Sequence, residues 1–313
     1  MENDRRRVLI VGCGYVGQEV ARQLTAAGHH VFGLRRTPAD PLEANLPYTP
    51  CVGDLTRPET LETLPNPLDW VINTVSSSRG GVAEYRSVYY EGTRNLIRRL
   101  QRTPLKAFAY TSSTSVYGQK DGSWVDENAP TQPGTETGQL LVDTERLLLE
   151  AYAQEQFPAR ILRVAGIYGP GRGHLFQQWL RGEARLQGDG RRWMNMIHRH
   201  DVASALVAVL ERGRGGQIYN AVDTEPVTQV DFLGWLAQQT GRPLASTALP
   251  GEVVPSKRGI TNKRVSSAKL QTETGWIPRY PTFREGYLEP LRGGTTRRRD
   301  DATREGGENS EGR

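Results

Sequence analysis

The chain has 313 residues, of which 36% are hydrophobic, so it can bury one large core or a large and a small one without disulfides. Its two cysteines, Cys13 and Cys51, lack the spacing of a zinc site, which predicts no metal and a cytoplasmic protein. The formal net charge of +5 is spread along the chain and predicts no nucleic-acid partner. No apolar stretch reaches the roughly 20 residues that cross a bilayer, which predicts no membrane partner.

The first element of the chain predicts a dinucleotide site. Apolar residues 8–11 run as a strand into Gly12, Gly14 and Gly17, which open the amphipathic stretch 15–27. The first glycine permits a tight turn, the second lets the backbone approach a pyrophosphate, and the third lets the helix pack on the strand. Because a strand precedes these glycines and a helix follows them, the pattern is more specific than the glycine spacing alone.

The second strand, at residues 30–34, predicts which dinucleotide binds. It ends at Arg35 and Arg36, where an NAD-binding chain carries an acid for the ribose 2′-hydroxyl. Guanidinium groups match a phosphate, so NADP(H) is favoured over NAD(H), the alternative being a solvated loop. Asp54 suits the adenine edge or, alternatively, is a turn acid. The predicted cofactor-binding residues are Gly12, Gly14, Tyr15, Val16, Gly17, Arg35, Arg36, Asp54, Leu55, Val75 and Ser76.

The rest of the chain alternates strands and helices. Apolar runs at 70–75, 107–111, 160–164 and 217–221 are separated by helical patterns at 82–100, 135–153 and 201–211, and the run at 48–52 is the weakest strand pattern. This order predicts an α/β fold: a Rossmann-type doubly wound parallel sheet with a smaller, interleaved C-terminal substrate lobe. We expect residues 1–165 to form the nucleotide-binding domain, completed by about 196–221. Residues 166–291 supply the lobe, and 292–313, without large apolar side chains, form a disordered tail.

Four further segments carry a family resemblance. Residues 111–118 (TSSTSVYG), 162–172 (LRVAGIYGPGR), 197–203 (IHRHDVA) and 219–223 (YNAVD) resemble the extended short-chain dehydrogenase/reductases, NAD(P)-dependent epimerase/dehydratases that often act on nucleotide sugars. The resemblance covers residues 7–290. It implies that Ser113 hydrogen-bonds the reacting oxygen and that Arg172 contacts the substrate, unless it is a surface arginine. It also implies a homodimer formed through the helices at 82–100 and 135–153.

The chain departs from this family at its proton relay. Thr137 stands at the position of the family's tyrosine, and Leu141 stands at the position of its lysine and cannot be catalytic. Tyr89 replaces an asparagine. A threonine hydroxyl is far less acidic than a tyrosine hydroxyl, whose pKa is about 10, so Thr137 cannot take over the proton transfer. The candidate replacement acids are Tyr117, Tyr168, Asp143, His198 and His200, each of which has an ordinary structural alternative.

These features predict an atypical short-chain dehydrogenase/reductase that binds NADP(H). Its reaction would be an oxidoreductase or epimerase-like step on a small carbonyl, polyol or nucleotide-sugar substrate. The alternative is a noncatalytic NADP(H)-binding sensor or scaffold, because the usual Tyr and Lys are absent. Lys263 and Arg264 are either anion contacts or ordinary surface charges.

Overall fold

A seven-stranded parallel sheet forms the centre of the molecule. The computed structural model describes residues 5–38, 45–77, 80–248 and 261–291; the predicted tail at 292–313 lies outside them. All neighbouring strands are parallel, in the order β7-β6-β5-β4-β1-β2-β3. The strands are β1 (Arg7–Val11), β2 (His30–Arg35), β3 (Thr49–Val52), β4 (Trp70–Asn73), β5 (Ala107–Ser113), β6 (Ala159–Val164) and β7 (Gln217–Ala221).

The burial of the strands follows their sequences. The central strand β1 is apolar, and Val8, Leu9 and Ile10 are fully buried because helices cover both faces of the sheet. The strand β3 is mostly exposed and contains Pro50, which fits its place at the edge of the sheet. The predicted α/β class with a doubly wound parallel sheet is confirmed, including the weak strand pattern at 48–52.

Helices flank the sheet and continue into the C-terminal part. The predicted helix after the glycine turn, the long helix at 82–100 and the helix that begins near residue 135 are all present. The helices are α1 (Tyr15–Ala26), α2 (82–100), α3 (Glu136–Glu155), α4 (His174–Arg181), α5 (Arg199–Glu211), α6 (Gln229–Thr240), α7 (Ala268–Thr274) and α8 (283–291). Thr135 caps α3, its Oγ1 accepting the Gly138 N–H at 3.1 Å.

The helix α2 is not regular. Two α-helical stretches, Val82–Tyr85 and Gly92–Leu100, flank a π-helical segment, Arg86–Glu91. A Cβ on Gly92 would meet the Cβ of Leu55 at 2.9 Å, so this glycine lets the loop after β3 pack closely against α2. Short π-helical segments are frequent at functional sites, and the segment Arg86–Glu91 carries Tyr89.

A second, smaller core lies beside the sheet. It contains Tyr168, Phe176, Trp179, Ala184, Leu186, Val227, Phe232, Leu233, Leu236, Phe283 and Tyr287. Short strand pairs connect it to the sheet domain: Gly166–Tyr168 with Met196–His198, and Trp193–Met194 with Val227–Thr228. Among the described helices, none is both long and apolar enough to cross a membrane.

Candidate functional site

A cavity of about 1550 Å³ opens at the carboxyl ends of the sheet strands. Its walls come from the loops after β1, β2, β3, β4 and β5, and from segments 166–196 and 261–263 of the smaller lobe. Ligands of doubly wound folds bind at this end of the sheet because the connections to the helices diverge there. Of the predicted site residues, Gly12, Gly14, Tyr15, Val16, Arg35, Arg36, Asp54, Leu55, Val75, Ser76, Ser113, Leu141 and Arg172 line the cavity.

The glycine turn has the geometry that a pyrophosphate needs. Gly12 has φ +94°, and a Cβ there would meet the Val75 backbone nitrogen at 2.9 Å. A Cβ on Gly17 would meet the carbonyl oxygen of Gly12 at 2.2 Å, so only glycine lets α1 pack against the turn. At Gly14 nothing lies within 4 Å of a Cβ position, which leaves open space in front of the helix. The first turn of α1 has no acidic side chain, so its free N–H groups favour an anion.

The far end of the cofactor side carries the two arginines. Arg35 ends β2, Arg36 follows it on the exposed surface, and both side chains line the cavity. Asp54 also lines it, with Oδ1 accepting the backbone N–H and the hydroxyl of Thr56 at 2.9 and 2.8 Å. Its carboxylate is thus held by a turn at the edge of the cavity, and its contact with the adenine edge stays a prediction.

The residues of the expected reaction centre are only partly brought together. Ser113 lies at the end of β5, is buried, and its Oγ accepts the Ser115 N–H at 3.2 Å. Leu141, on α3, lines the same cavity and is 2% exposed. Thr137 is not among the lining residues; its Oγ1 lies 3.2 Å from that of Thr135 in the first turn of α3. An apolar side chain therefore occupies the position that resembles the lysine's.

The structure does not bring Tyr117 to the cavity. It is fully buried, its hydroxyl donates to Asn220 Oδ1 at 2.9 Å and accepts from Arg163 Nη1 at 2.8 Å. Arg163 is in turn paired with Glu145, the Nη2 to Oε2 distance being 2.6 Å. Burial raises the pKa of Tyr117. The hydroxyl is committed to a structural network and is a poor candidate for proton transfer to a ligand.

The other candidate acids also lie outside the cavity lining. The Tyr168 hydroxyl donates to the Thr282 carbonyl at 3.2 Å within the smaller core. Burial lowers the pKa of His198 to about 4, and its neutral Nδ1 accepts the His200 N–H at 3.2 Å, capping α5. Asp143 Oδ1 accepts from the Gln139 side chain on the surface of α3.

Several lining residues were not predicted from the sequence as part of the site. Tyr89, noted only as a substitution, lines the cavity from the π-helical segment, and its hydroxyl accepts the Ser77 N–H at 3.1 Å. Thr74 holds the glycine turn, its Oγ1 donating to the Gly12 carbonyl at 2.7 Å. Arg192 also lines the cavity, and the adjacent pair Arg191 and Arg192 in an irregular segment gives no sequence signal of which arginine does so.

The fold and the glycine turn define a dinucleotide-binding protein of the Rossmann-like α/β class. The model of the NAD dependent epimerase/dehydratase family matches residues 8–221, and the chain belongs to that family. This membership makes the protein an NAD(P)-dependent, oxidoreductase-like enzyme and confirms the resemblance drawn from the sequence.

Individual relatives cover most of the chain. Protein YeeZ of Escherichia coli K12 is 30% identical over 291 residues, which are 88% of this chain and 97% of YeeZ. A solved conserved protein of unknown function from Silicibacter pomeroyi is 29% identical, with a TM-score of 0.74, covering 92% of this chain and 99% of that one. The dTDP-glucose 4,6-dehydratase DesIV of Streptomyces venezuelae, solved with NAD, is 21% identical with a TM-score of 0.79 over 93% and 98%.

Proposed function

We propose that the protein is an NADP(H)-dependent oxidoreductase that acts on a small carbonyl or polyol substrate without the Tyr/Lys relay. The observation that carries this proposal is the cavity, which combines an open cofactor cradle with Ser113 and the buried Leu141 in one wall. The substrate would lie between the sheet and the smaller lobe. A nucleotide sugar, as in the name of DesIV, is the other substrate class to test.

The division of labour within the cavity follows from its residues. NADP(H) would supply the hydride donor or acceptor. The N-terminus of α1 and Gly14 would hold its pyrophosphate, and Arg35 and Arg36 its 2′-phosphate. Ser113 would direct its O–H at the substrate oxygen and polarise the carbonyl.

Loss of the relay limits the chemistry. Leu141 offers neither a charge to lower a neighbouring pKa nor a hydrogen bond to a ribose, and Thr137 faces Thr135. Epimerisation of the family's kind needs reversible deprotonation of a hydroxyl at the site. Reduction of a carbonyl, whose oxygen then takes a proton from solvent, fits better, as does the reverse oxidation with the proton released to solvent. The alternative function, an NADP(H)-dependent sensor or scaffold, is favoured by the same two residues.

Cofactor choice can be tested by titrating NADPH and NADH into the purified full-length chain. We expect NADPH to bind at least tenfold more tightly, because each charge-assisted hydrogen bond to the 2′-phosphate contributes about 1.5–3 kcal/mol. Arg35→Asp should remove most of this preference. The matched control is Arg98→Asp, on the exposed face of α2. Equal affinities for the two cofactors, or an unchanged preference in Arg35→Asp, would refute the assignment.

Enzyme and sensor can be separated by turnover. NADPH oxidation is followed with panels of aldehydes, ketones and nucleotide sugars, and Ser113→Ala should lower kcat by about 10²-fold while NADPH affinity stays within twofold. If no compound is turned over and an identified partner binds only with NADPH present, the sensor reading replaces the enzyme reading.

We further propose a homodimer, formed through α2 and α3, in the cytoplasm. The dimer rests on the family resemblance, and the compartment on the presence of only two cysteines, both of which are free thiols. Light scattering on the purified chain gives the mass directly, and a mass near the chain's 34.9 kDa would refute the dimer.

A further inference from the structure

The part of the cavity lining that comes from the smaller lobe is positively charged. Segments 166–196 and 261–263 contribute four cations to the lining and no carboxylate. The two lining acids, Asp54 and Glu84, both belong to the sheet domain. The cationic residues of this wall are Arg172, Arg181, Arg192 and Lys263.

Lys263 is the most deeply placed of these cations. It is 4% exposed and lines the cavity, and in the described part of the chain its Nζ donates only to Thr261 Oγ1, at 2.8 Å. Burial lowers its pKa to about 8, with no charged neighbour among the described residues contributing to the shift. An ammonium group that has lost its water and has no counter-ion among the described residues is unfavourable without a bound anion.

The backbone around Lys263 is fixed by several hydrogen bonds. Asn262 Oδ1 accepts the Trp193 N–H at 2.9 Å. The Asn195 side chain donates to the Lys263 carbonyl at 3.0 Å and accepts the Val265 N–H at 2.8 Å. These bonds hold the backbone of residues 262–265 beside the Trp193–Met194 strand, so the backbone at Lys263 is fixed in place.

Arg192 adds a second desolvated charge to the same wall. Within the described ranges its buried Nε has no hydrogen-bond partner, and burial lowers the pKa of its guanidinium without a contribution from any described charged neighbour. Arg264, in contrast, lies over the Trp124 and Trp193 rings at 5.2 and 5.1 Å and donates to the Gly122 carbonyl. Its guanidinium is engaged in these structural contacts, and Arg264 does not line the cavity.

We infer that Lys263 binds an oxyanion group of the substrate, so that the proposed oxidoreductase acts on an acid: a phosphate ester or a carboxylate. This inference rests on the proposed function, because it takes the bound anion to be part of the substrate. Anion binding at Lys263 itself can be measured without turnover. An ammonium group is a compact point charge that both oxyanions satisfy, and Arg192 raises the local positive potential. The cofactor would bind where the cavity meets the glycine turn and the end of β2.

The test measures anion binding rather than activity. Inorganic phosphate and malonate are titrated by calorimetry into the full-length chain saturated with NADPH, at constant ionic strength and pH 7. The two probes distinguish a phosphate ester from a carboxylate. The variants are Lys263→Met and Lys263→Gln, with Lys120→Met, at an exposed position, as the control of equal charge change.

We expect at least one probe to bind saturably, and both Lys263 variants to weaken it at least fivefold while Lys120→Met does not. NADPH affinity should stay within twofold in all variants, which also shows that they fold. The inference is overturned if neither probe binds, if the loss is below fivefold, or if NADPH affinity falls in parallel. Anion binding by a protein that prefers NADH would contradict the cofactor proposal and leave this one standing.

Discussion

The buried pair of Glu145 and Arg163 offers a direct measurement of what holds the reaction wall in place. Both side chains are 4% exposed, and Arg163 Nη2 lies 2.6 Å from Glu145 Oε2. Ser112 Oγ donates to Glu145 Oε1 at 2.5 Å, and Arg163 Nη1 donates to the Tyr117 hydroxyl at 2.8 Å. The pair connects α3 to β6, and through Ser112, the residue before Ser113, also to β5.

Removing one partner leaves the other as a buried, uncompensated charge. We expect Arg163→Met and Glu145→Leu each to lower the free energy of unfolding by about 3–5 kcal/mol. This is a large part of the total of about 5–15 kcal/mol for a domain. The double variant Glu145→Leu with Arg163→Met removes both charges, so its loss should be at least about 2 kcal/mol smaller than the sum of the single losses.

Urea denaturation followed by circular dichroism gives these free energies, provided that the dependence on urea concentration keeps its slope. The exposed pair Arg181 and Glu183, whose side chains are 54% and 56% exposed, serves as control and should contribute about 0–1 kcal/mol. Additive losses in the buried double variant, or single losses below about 1 kcal/mol, would show that the pair is not the charge couple that the geometry indicates.

Three further predictions concern other parts of the molecule. Because the pKa of His198 is lowered to about 4, unfolding takes up a proton between pH 6.5 and 4, and the free energy of unfolding should fall by about 2 kcal/mol across this window. The variant His198→Asn keeps an acceptor for the helix cap and should flatten that fall in pH-dependent melts. Gly14→Ala should keep stability yet weaken NADPH binding at least tenfold, whereas Gly17→Ala, whose Cβ meets a backbone oxygen at 2.2 Å, should lower both in melts and titrations. Asp201→Asn should cost about 1–3 kcal/mol in urea denaturation, since Asp201 accepts two backbone N–H groups of residues 279–280 and an amide nitrogen cannot accept.

Each of these has a clear contrary result. An acid-induced loss in His198→Asn equal to that of the parent chain would assign the titration to another group. Tight NADPH binding by Gly14→Ala would mean that no phosphate approaches that glycine. An unchanged Asp201→Asn would mean that the connection between α5 and segment 279–280 adds nothing to stability.

The sheet and the cofactor turn were predictable because their signals are local. The run from Val8 to Gly17 contains a buried strand, a turn and a helix start within ten residues, so one short segment carries the whole pattern. The edge strand at 48–52 was the weakest pattern, since an edge needs less apolar surface than the centre.

The roles of the tyrosines could not be predicted in this way. Tyr117 follows Ser113 by four residues, yet one side chain enters the cavity and the other a buried network whose partners lie 46 and 103 positions away. Tyr89 enters the cavity from a π-helical segment, which has no reliable sequence pattern. Side-chain direction at such positions depends on packing between distant elements, which one sequence does not encode locally.

The distribution of charge within the cavity separates the two halves of the proposed reaction. On the wall formed by α3, the position that resembles the family's lysine carries Leu141, so no cation there can support a tyrosinate or hold a ribose. In the lining from the smaller lobe, Lys263 is buried without a counter-ion among the described residues. A cavity with Leu141 and Lys263 in its lining is suited to binding and orienting an anion, and in the proposed reaction hydride transfer would depend on position more than on acid catalysis. This asymmetry is why Ser113→Ala should act on turnover, Arg35→Asp on cofactor choice, and Lys263→Met on anion binding, each without disturbing the other two.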